Sequence, residues 1–227
     1  DYVANETLVP KEMESIVKGM ATACKKSGVT LIGGETAEMP GVYMKGEHDI
    51  AGCITGIVEK DKIITGDKIK IGDLILGFPS SGLHTNGFSL ARKLLFEKAK
   101  HTIKTKLSFS KQTLGEILLK VHVNYCKPVF SLLDNNVEVR GIAHITGGGF
   151  IENIPRILPA HLNAEIKKDT WPMLPIFPYM QKIGGVSENE MYKVFNMSIG
   201  LVIIVSPSQK SKIEMLLKGQ EIFWMGK

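Results

Sequence analysis

The chain has 227 residues, 44% of them apolar and 22% charged, with a net charge of +5. These are ordinary proportions for a globular protein, and a chain of this length buries roughly 70% of its unfolded surface without disulfide staples. Three cysteines, Cys24, Cys53 and Cys126, stand at no metal or redox spacing and point to a reducing, cytoplasmic setting, while apolar runs as short as Leu201 to Val205 exclude a membrane helix of ~20 residues.

Residues 10–28 read as an amphipathic helix, with Met13, Ile16, Val17, Met20 and Cys24 at helical spacing and Gly28 as its stop. Val29 to Ile32 reads as a short buried strand that runs into a loop, Gly33 to Gly41, bearing Glu35, Thr36 and Glu38. Ile50 to Val58 reads as a second strand, with Gly52 and Gly56 marking a bend or a close backbone approach. A polar connection over 59–72 places a domain boundary there. Leu74 to Phe78 is a strand ending in the loop Pro79 to Gly87, and Phe88 to Lys100 a helix. Helices follow near 112–122 and 125–134. A strand near 139–145 ends in Thr146-Gly147-Gly148-Gly149 and a helix opens after it, which Pro155 kinks or ends early. Ala164 to Ile166 is a short strand, 173–183 and 187–195 are helical, Ser198 to Val205 is an apolar strand, 208–218 a helix and 221–225 a closing strand. The alternation argues for a layered α/β or α+β fold.

Three loops share one layout: an apolar strand, then glycines with small polar residues, then in two cases a helix. Glycines let backbone amides approach a ligand, and amides at a helix start carry partial positive charge, so the layout suits phosphates. None is a P-loop, and no GxGxxG follows a strand. Glu35 and Glu38 in the first loop suit Mg²⁺ held together with substrate phosphates, or are solvated acids. His84 in the second loop could donate to a transferring phosphoryl group or act as an acid; alternatively Thr85 or Asn86 caps the helix and His84 packs beside it. Gly147, Gly148 and Gly149 let a phosphate or a neighbouring backbone come close, or make a tight turn. His144 reads as a core residue in its strand, Arg156 as a further phosphate ligand, and Trp171 and Trp224 as packing residues. His48, His101, His122 and His161 stand apart at no ligand spacing. The lysines are scattered without an aromatic-interleaved stripe, which argues against nucleic acid. No basic region followed by an apolar stretch opens the chain, so no signal peptide is expected and the sequons at Asn5 and Asn196 read as chance.

Four segments carry a resemblance: GGETAEMPGVY (Gly33 to Tyr43), SSGLHTNGFSL (Ser80 to Leu90), AHITGGGFIENIPRILP (Ala143 to Pro159) and EMYKVFNMSIG (Glu190 to Gly200). Together with the opening Asp1-Tyr2-Val3-Ala4 they resemble the AIR synthetase family, in its order and spacing, over essentially the whole chain. The resemblance implies the AIR synthetase-like fold, α/β (α+β): the remainder of an N-terminal ATP-binding and dimerisation domain over 1–62, then a C-terminal mixed-sheet domain over 63–227. It implies a homodimer, and ATP-dependent closure of formylglycinamidine ribonucleotide to aminoimidazole ribonucleotide in purine biosynthesis, with phosphorylation of the formyl amide oxygen. It implies that Glu35 binds Mg²⁺ and nucleotide, with Thr36 and Glu38 assisting. His84 and Asn86 would face the substrate or the transferred phosphoryl group, and Gly147, Gly148 and Gly149 would hold a phosphate. The family's N-terminal nucleotide-binding segments have no counterpart in this sequence, so a fragment inactive in isolation is expected. The rival readings are another enzyme of the same superfamily, a folded fragment that only dimerises or binds one ligand, and a nucleic-acid module resting on charge alone.

Overall fold

The computed structural model describes residues 1–227. Its contacts divide the chain into two compact units, Asp1–Ile63 and Ile64–Lys227. No helix is long and apolar enough to cross a membrane.

The first unit holds β1 (Tyr2–Asn5), α1 (Pro10–Ser27), β2 (Glu35–Glu38) and β3 (His48–Ala51). The sheet order is β2-β1-β3, with β1 parallel to β2 and antiparallel to β3. The helix α1 supplies the crossover that a parallel pair needs. Pro10 sits in its first turn, where a missing N–H breaks no intrahelical bond. Glu12 in the first turn and Lys25 and Lys26 in the last complement its dipole. Gly28, at φ 68°, closes it as expected.

Two strand expectations in this unit need correction. Val29 to Ile32 lies outside any strand, and Ile32 is 93% exposed. The ladder forms instead in the expected loop, because it is β1 that sets the register: Tyr2 faces Glu35 and Asn5 faces Glu38. The apolar run only carries the chain from helix to sheet. The expected strand from Ile50 to Val58 is confined to His48–Ala51. Ala51 faces Tyr2 and no strand lies beside residues 52–58, so Ile57 is 99% exposed.

The second unit holds β4 (Leu74–Pro79), α2 (Phe88–Arg92), α3 (Leu114–Leu118), α4 (Cys126–Asp134), β5 (Val139–His144) and α5 (Gly149–Asn153). It continues with α6 (Ile176–Gly184), α7 (Glu188–Val194), β6 (Ile199–Val205), α8 (Lys210–Leu216) and β7 (Phe223–Gly226). The sheet order is β5-β6-β4-β7, antiparallel at every pairing; the mixed pairing belongs to the first unit. The expected strand at Ala164 to Ile166 appears as a short bridge of Ile166 to Gly226, on the edge of β7. Every residue of β6 is buried. From Leu201 to Val205 its side chains alternate between the two faces of the sheet, as the two-residue strand period requires, and the register shift opposite Phe78 and Pro79 breaks that alternation at Ile199. Ile199 and Val202 face one core with Ile75, Phe177 and Phe195; Leu201, Ile203 and Val205 face the other with Leu76 and Phe78. The helix after the second glycine loop begins as α2 and runs on through a wide π turn, Lys93–Lys98. The helix expected over 112–122 is only Leu114–Leu118. The segment after it, residues 120–125, has no regular structure, and Ser81 Oγ donates to the Val121 carbonyl there.

Candidate active site

The second glycine loop hangs from the ends of β4 and β6 by a buried polar network. The Ser80 N–H donates to the Ser198 carbonyl at 2.7 Å, and the Ser80 hydroxyl donates to Asn196 Oδ1 at 2.9 Å. Asn196 Nδ2 donates to the Gly82 carbonyl at 2.8 Å and its Oδ1 accepts from the Ser198 N–H at 3.0 Å. A buried network with every member satisfied specifies one geometry. It also buries Asn196, which as a sequon is therefore inaccessible in the folded unit. Capping does not account for the loop: the residue at the N-cap of α2 is Gly87, at φ 81°, and no side chain caps that helix.

His84 is 7% exposed and held at φ 59°, a left-handed conformation that costs a side-chain-bearing residue on the order of 1–3 kcal/mol. Its Nε2 accepts from the Ser81 N–H at 3.1 Å. The proton of the neutral ring therefore sits on Nδ1, which is buried with no partner. Burial is the main reason its pKa is pushed down to about 3, with neighbouring His122 and His144 adding to it, so the ring is neutral at physiological pH. The His122 ring stacks on it at 3.8 Å between centroids, and His122 Nε2 lies 3.0 Å from His144 Nε2. His122 Nδ1 is 2.7 Å from the Val123 carbonyl, which can only accept. So Nδ1 carries the His122 proton, Nε2 is bare, and the His144 Nε2–H donates to it. The rings fit here because Gly200 in β6 has no side chain: a Cβ there would strike Tyr125 Oη and come within 2.7 Å of His84 Cε1.

The third glycine loop meets the second. A Cβ on Gly147 would lie 3.4 Å from Asn86 Oδ1, so these two sequence-predicted residues face each other. Asn153 shapes the loop from inside, donating to the Gly147 carbonyl at 3.1 Å and the Gly149 carbonyl at 2.8 Å. The three glycines have different causes. Gly149, at φ 55°, lies so close to the Tyr192 carbonyl of α7 that a Cβ has no room. Gly148, at φ 92°, is crowded by the Glu152 side chain. Gly147 has neither a positive φ nor a steric neighbour closer than Asn86, and it is the one placed to face a ligand. Arg156 does not reach the loop free: its guanidinium donates to Asn153 Oδ1 at 3.1 Å. Pro155 ends α5 in a short 3₁₀ turn.

The first glycine loop lies in the other unit. Because Glu35–Glu38 is a strand, Glu35 and Glu38 project from opposite faces, and Thr36 shares the face of Glu38. Glu38 is committed locally: its Oε1 accepts from the Leu8 N–H at 2.7 Å. No hydrogen bond or ion pair engages the exposed Glu35 carboxylate, which fits one carboxylate offered to Mg²⁺ alongside substrate phosphates.

An open cavity of about 620 Å³ on the α5–α7 side, lined by Phe150, Ile154, Leu158 and Tyr192, holds none of the sequence-predicted residues. Trp171 is buried, stacked at 5.7 Å on Phe150, as expected of a packing residue. Sequence reading missed three contributors, and one is a correction: His144, which reads as a core residue in its strand, is the exposed last residue of β5 and meets His122. His122 stands at no ligand spacing in the sequence, and the irregular segment between α3 and α4 brings it to His84; Asn153 carries no motif signal of its own.

Residues 70–225 match the family description "AIR synthase related protein, C-terminal domain", and residues 1–58 match the corresponding N-terminal domain. The chain is 48% identical over 220 residues to a phosphoribosylformylglycinamidine cyclo-ligase of Geobacillus thermodenitrificans, covering 97% of this chain and 63% of that one. It is 45% identical over 228 residues to the cyclo-ligase of Alkaliphilus metalliredigens, covering 100% of this chain and 65% of that one. The chain thus spans a little under two thirds of these relatives' length. Its fold is also that of the hydrogenase maturation protein HypE solved with ATP, at a TM-score of 0.64 and 16% identity over 100% of this chain and 64% of that one.

Proposed function

The chain belongs to the AIR synthase related family, and on that premise we propose that it forms the larger part of a phosphoribosylformylglycinamidine cyclo-ligase. The observation that carries this reading is 45–48% identity to such enzymes along 97–100% of the chain. The substrates would be ATP and formylglycinamidine ribonucleotide. The formyl amide oxygen is a poor leaving group until it takes the γ-phosphoryl group of ATP. The amidine nitrogen then attacks that carbon, phosphate departs with the oxygen, and aminoimidazole ribonucleotide and ADP are left. Such a reaction asks a protein mainly to position groups and to stabilise charge on phosphoryl oxygens.

In this reading Gly147 and Asn86 hold a phosphate at the junction of the two loops. His84 acts as a neutral donor through Nδ1–H, whose lack of a protein partner supports the role. Glu35 is the carboxylate for Mg²⁺, which when bound neutralises phosphate charge, and Thr36 assists at the nucleotide. Glu38 serves by holding Leu8 in place. The exposed apolar residues of the first unit, among them Ile32, Ile54 and Ile57, support a homodimer formed through it. Three free thiols support a reducing, cytoplasmic setting.

The test is ADP release from ATP and formylglycinamidine ribonucleotide, with the chain alone and joined to the segment of a relative that it does not span. In the active form, His84→Ala lowers kcat by on the order of 10²–10⁴-fold, far more than its modest lowering of the urea midpoint accounts for. Glu35→Gln raises the KM for Mg-ATP. A folded, ATP-binding protein that releases no ADP with this substrate would rule the reading out.

A further inference from the structure

Apart from any phosphoryl chemistry, the three histidines at the end of the sheet form a donor set of one kind. His84 comes from the loop after β4, His122 from the irregular segment after α3, and His144 from the last position of β5. One ring nitrogen of each lies within 4.8 Å of the others. We propose that His84, His122 and His144 form a binding site for a divalent transition-metal ion of the zinc class, with an open fourth position.

The chemistry favours that class. Three imidazoles with no carboxylate among them suit Zn²⁺, Co²⁺, Ni²⁺ or Cu²⁺, whereas Mg²⁺ and Ca²⁺ require oxygen. Two nitrogens bound at 2.0–2.1 Å on a tetrahedral ion stand roughly 3.3 Å apart. The His122 and His144 Nε2 atoms are already 3.0 Å apart, so an ion replaces their shared proton with a shift of a few tenths of an ångström. His122 is pre-set as a ligand: its Nδ1–H is held by the Val123 carbonyl, which fixes the tautomer and aims the bare Nε2 at the cluster. His144 is exposed, so its Nε2 proton moves to Nδ1 through solvent and the ion has an entry path. His84 closes the set by tilting from its 30° stack on His122 and exchanging the Ser81 N–H that its Nε2 accepts for the ion. Three neutral ligands leave the ion's charge uncompensated, so the fourth position takes water or an anionic oxygen. An ion held there withdraws His84 from the role assigned above; the binding claim itself does not depend on that role.

The experiment uses the untagged chain, titrated with Zn²⁺ by calorimetry and with Co²⁺ by visible absorption. One equivalent binds, with the intense d–d bands of tetrahedral Co²⁺ and no thiolate charge-transfer band. His122→Ala and His144→Ala each weaken binding by at least on the order of 10–100-fold, the loss that even an outer-shell change produces. His101→Ala and His161→Ala leave it intact. Long-range ¹H–¹⁵N spectra of the wild-type chain keep the test decisive where a variant unfolds: Zn²⁺ shifts the ring nitrogens of His84, His122 and His144. A folded chain that takes up no metal, binding that survives both variants, a thiolate spectrum, or shifts confined to other histidines would overturn the proposal.

Discussion

The two units put similar sequence signals to different ends. In the first, α1 is 18 residues long, correctly started and stopped, yet none of its residues is buried. In the second, the seven residues of β6 are all buried between two cores. Dipole complementation, a glycine stop and periodicity place the element, but most of a protein helix's stability comes from packing its amphipathic face. The first unit shows elements formed ahead of their burial; the second shows burial completed on both sides of a sheet.

The comparison breaks most visibly under core truncation. Phe177→Ala in the second unit costs about 3–5 kcal/mol, read as a lowered urea midpoint. Ile57→Ala in the first stays within about 0.5 kcal/mol, because nothing surrounds that side chain. Equal effects would mean that the exposed residues of the first unit are covered in solution. Hydrogen exchange sharpens the same contrast: amides of β6 exchange only through global unfolding, while those of α1 exchange through local fraying orders of magnitude sooner.

The glycine loops divide structural from functional need within the second unit. Gly149→Ala drives a Cβ into the Tyr192 carbonyl at a strained φ and lowers the melting temperature. Gly147→Ala meets only Asn86 at van der Waals distance, so stability holds and nucleotide or substrate affinity falls. A reversed pattern would remove Gly147 from the site. The smallest effect concerns the capping box of α3, where the Thr113 side chain accepts from the Glu116 N–H and Glu116 answers at Thr113. Thr113→Ala costs about 1 kcal/mol. The Thr113 N–H, then its hydroxyl, hold Glu116 below the usual carboxylate range. A carboxylate depressed in the folded state stabilises it above the unfolded pKa, and that contribution is lost as pH falls through the folded one. The Thr113→Ala deficit therefore shrinks in acid, which chemical unfolding at pH 7 and pH 3 would show.

Where local rules dominate, the sequence was legible: α1 with its Gly28 stop, β4, β5 and the apolar β6 all lie where periodicity placed them. It misled where a partner decides. Val29 to Ile32 has the apolar character of a strand, but β1 pairs with the polar residues that follow it. That shift also puts Glu35 and Glu38 on opposite faces of the strand. In the candidate site, the meeting of Asn86 with Gly147 joins two motifs that resemblance had already marked. The His122–His144 contact joins residues with no motif relation at all, because it depends on α3 ending early and the chain crossing the sheet end without regular structure.

The central place of β6 also governs the order in which this protein can be made. Its neighbours β4 and β5 are completed at Pro79 and His144, while β6 runs only from Ile199 to Val205. Neither neighbour has a strand to pair with on its inner edge until β6 has left the ribosome. At roughly 5–20 residues per second, β4 waits on the order of ten seconds for its partner. Over that interval the nascent second unit is a set of apolar strands and short helices without a sheet, and its closure comes as one late event rather than as growth from the N-terminal side.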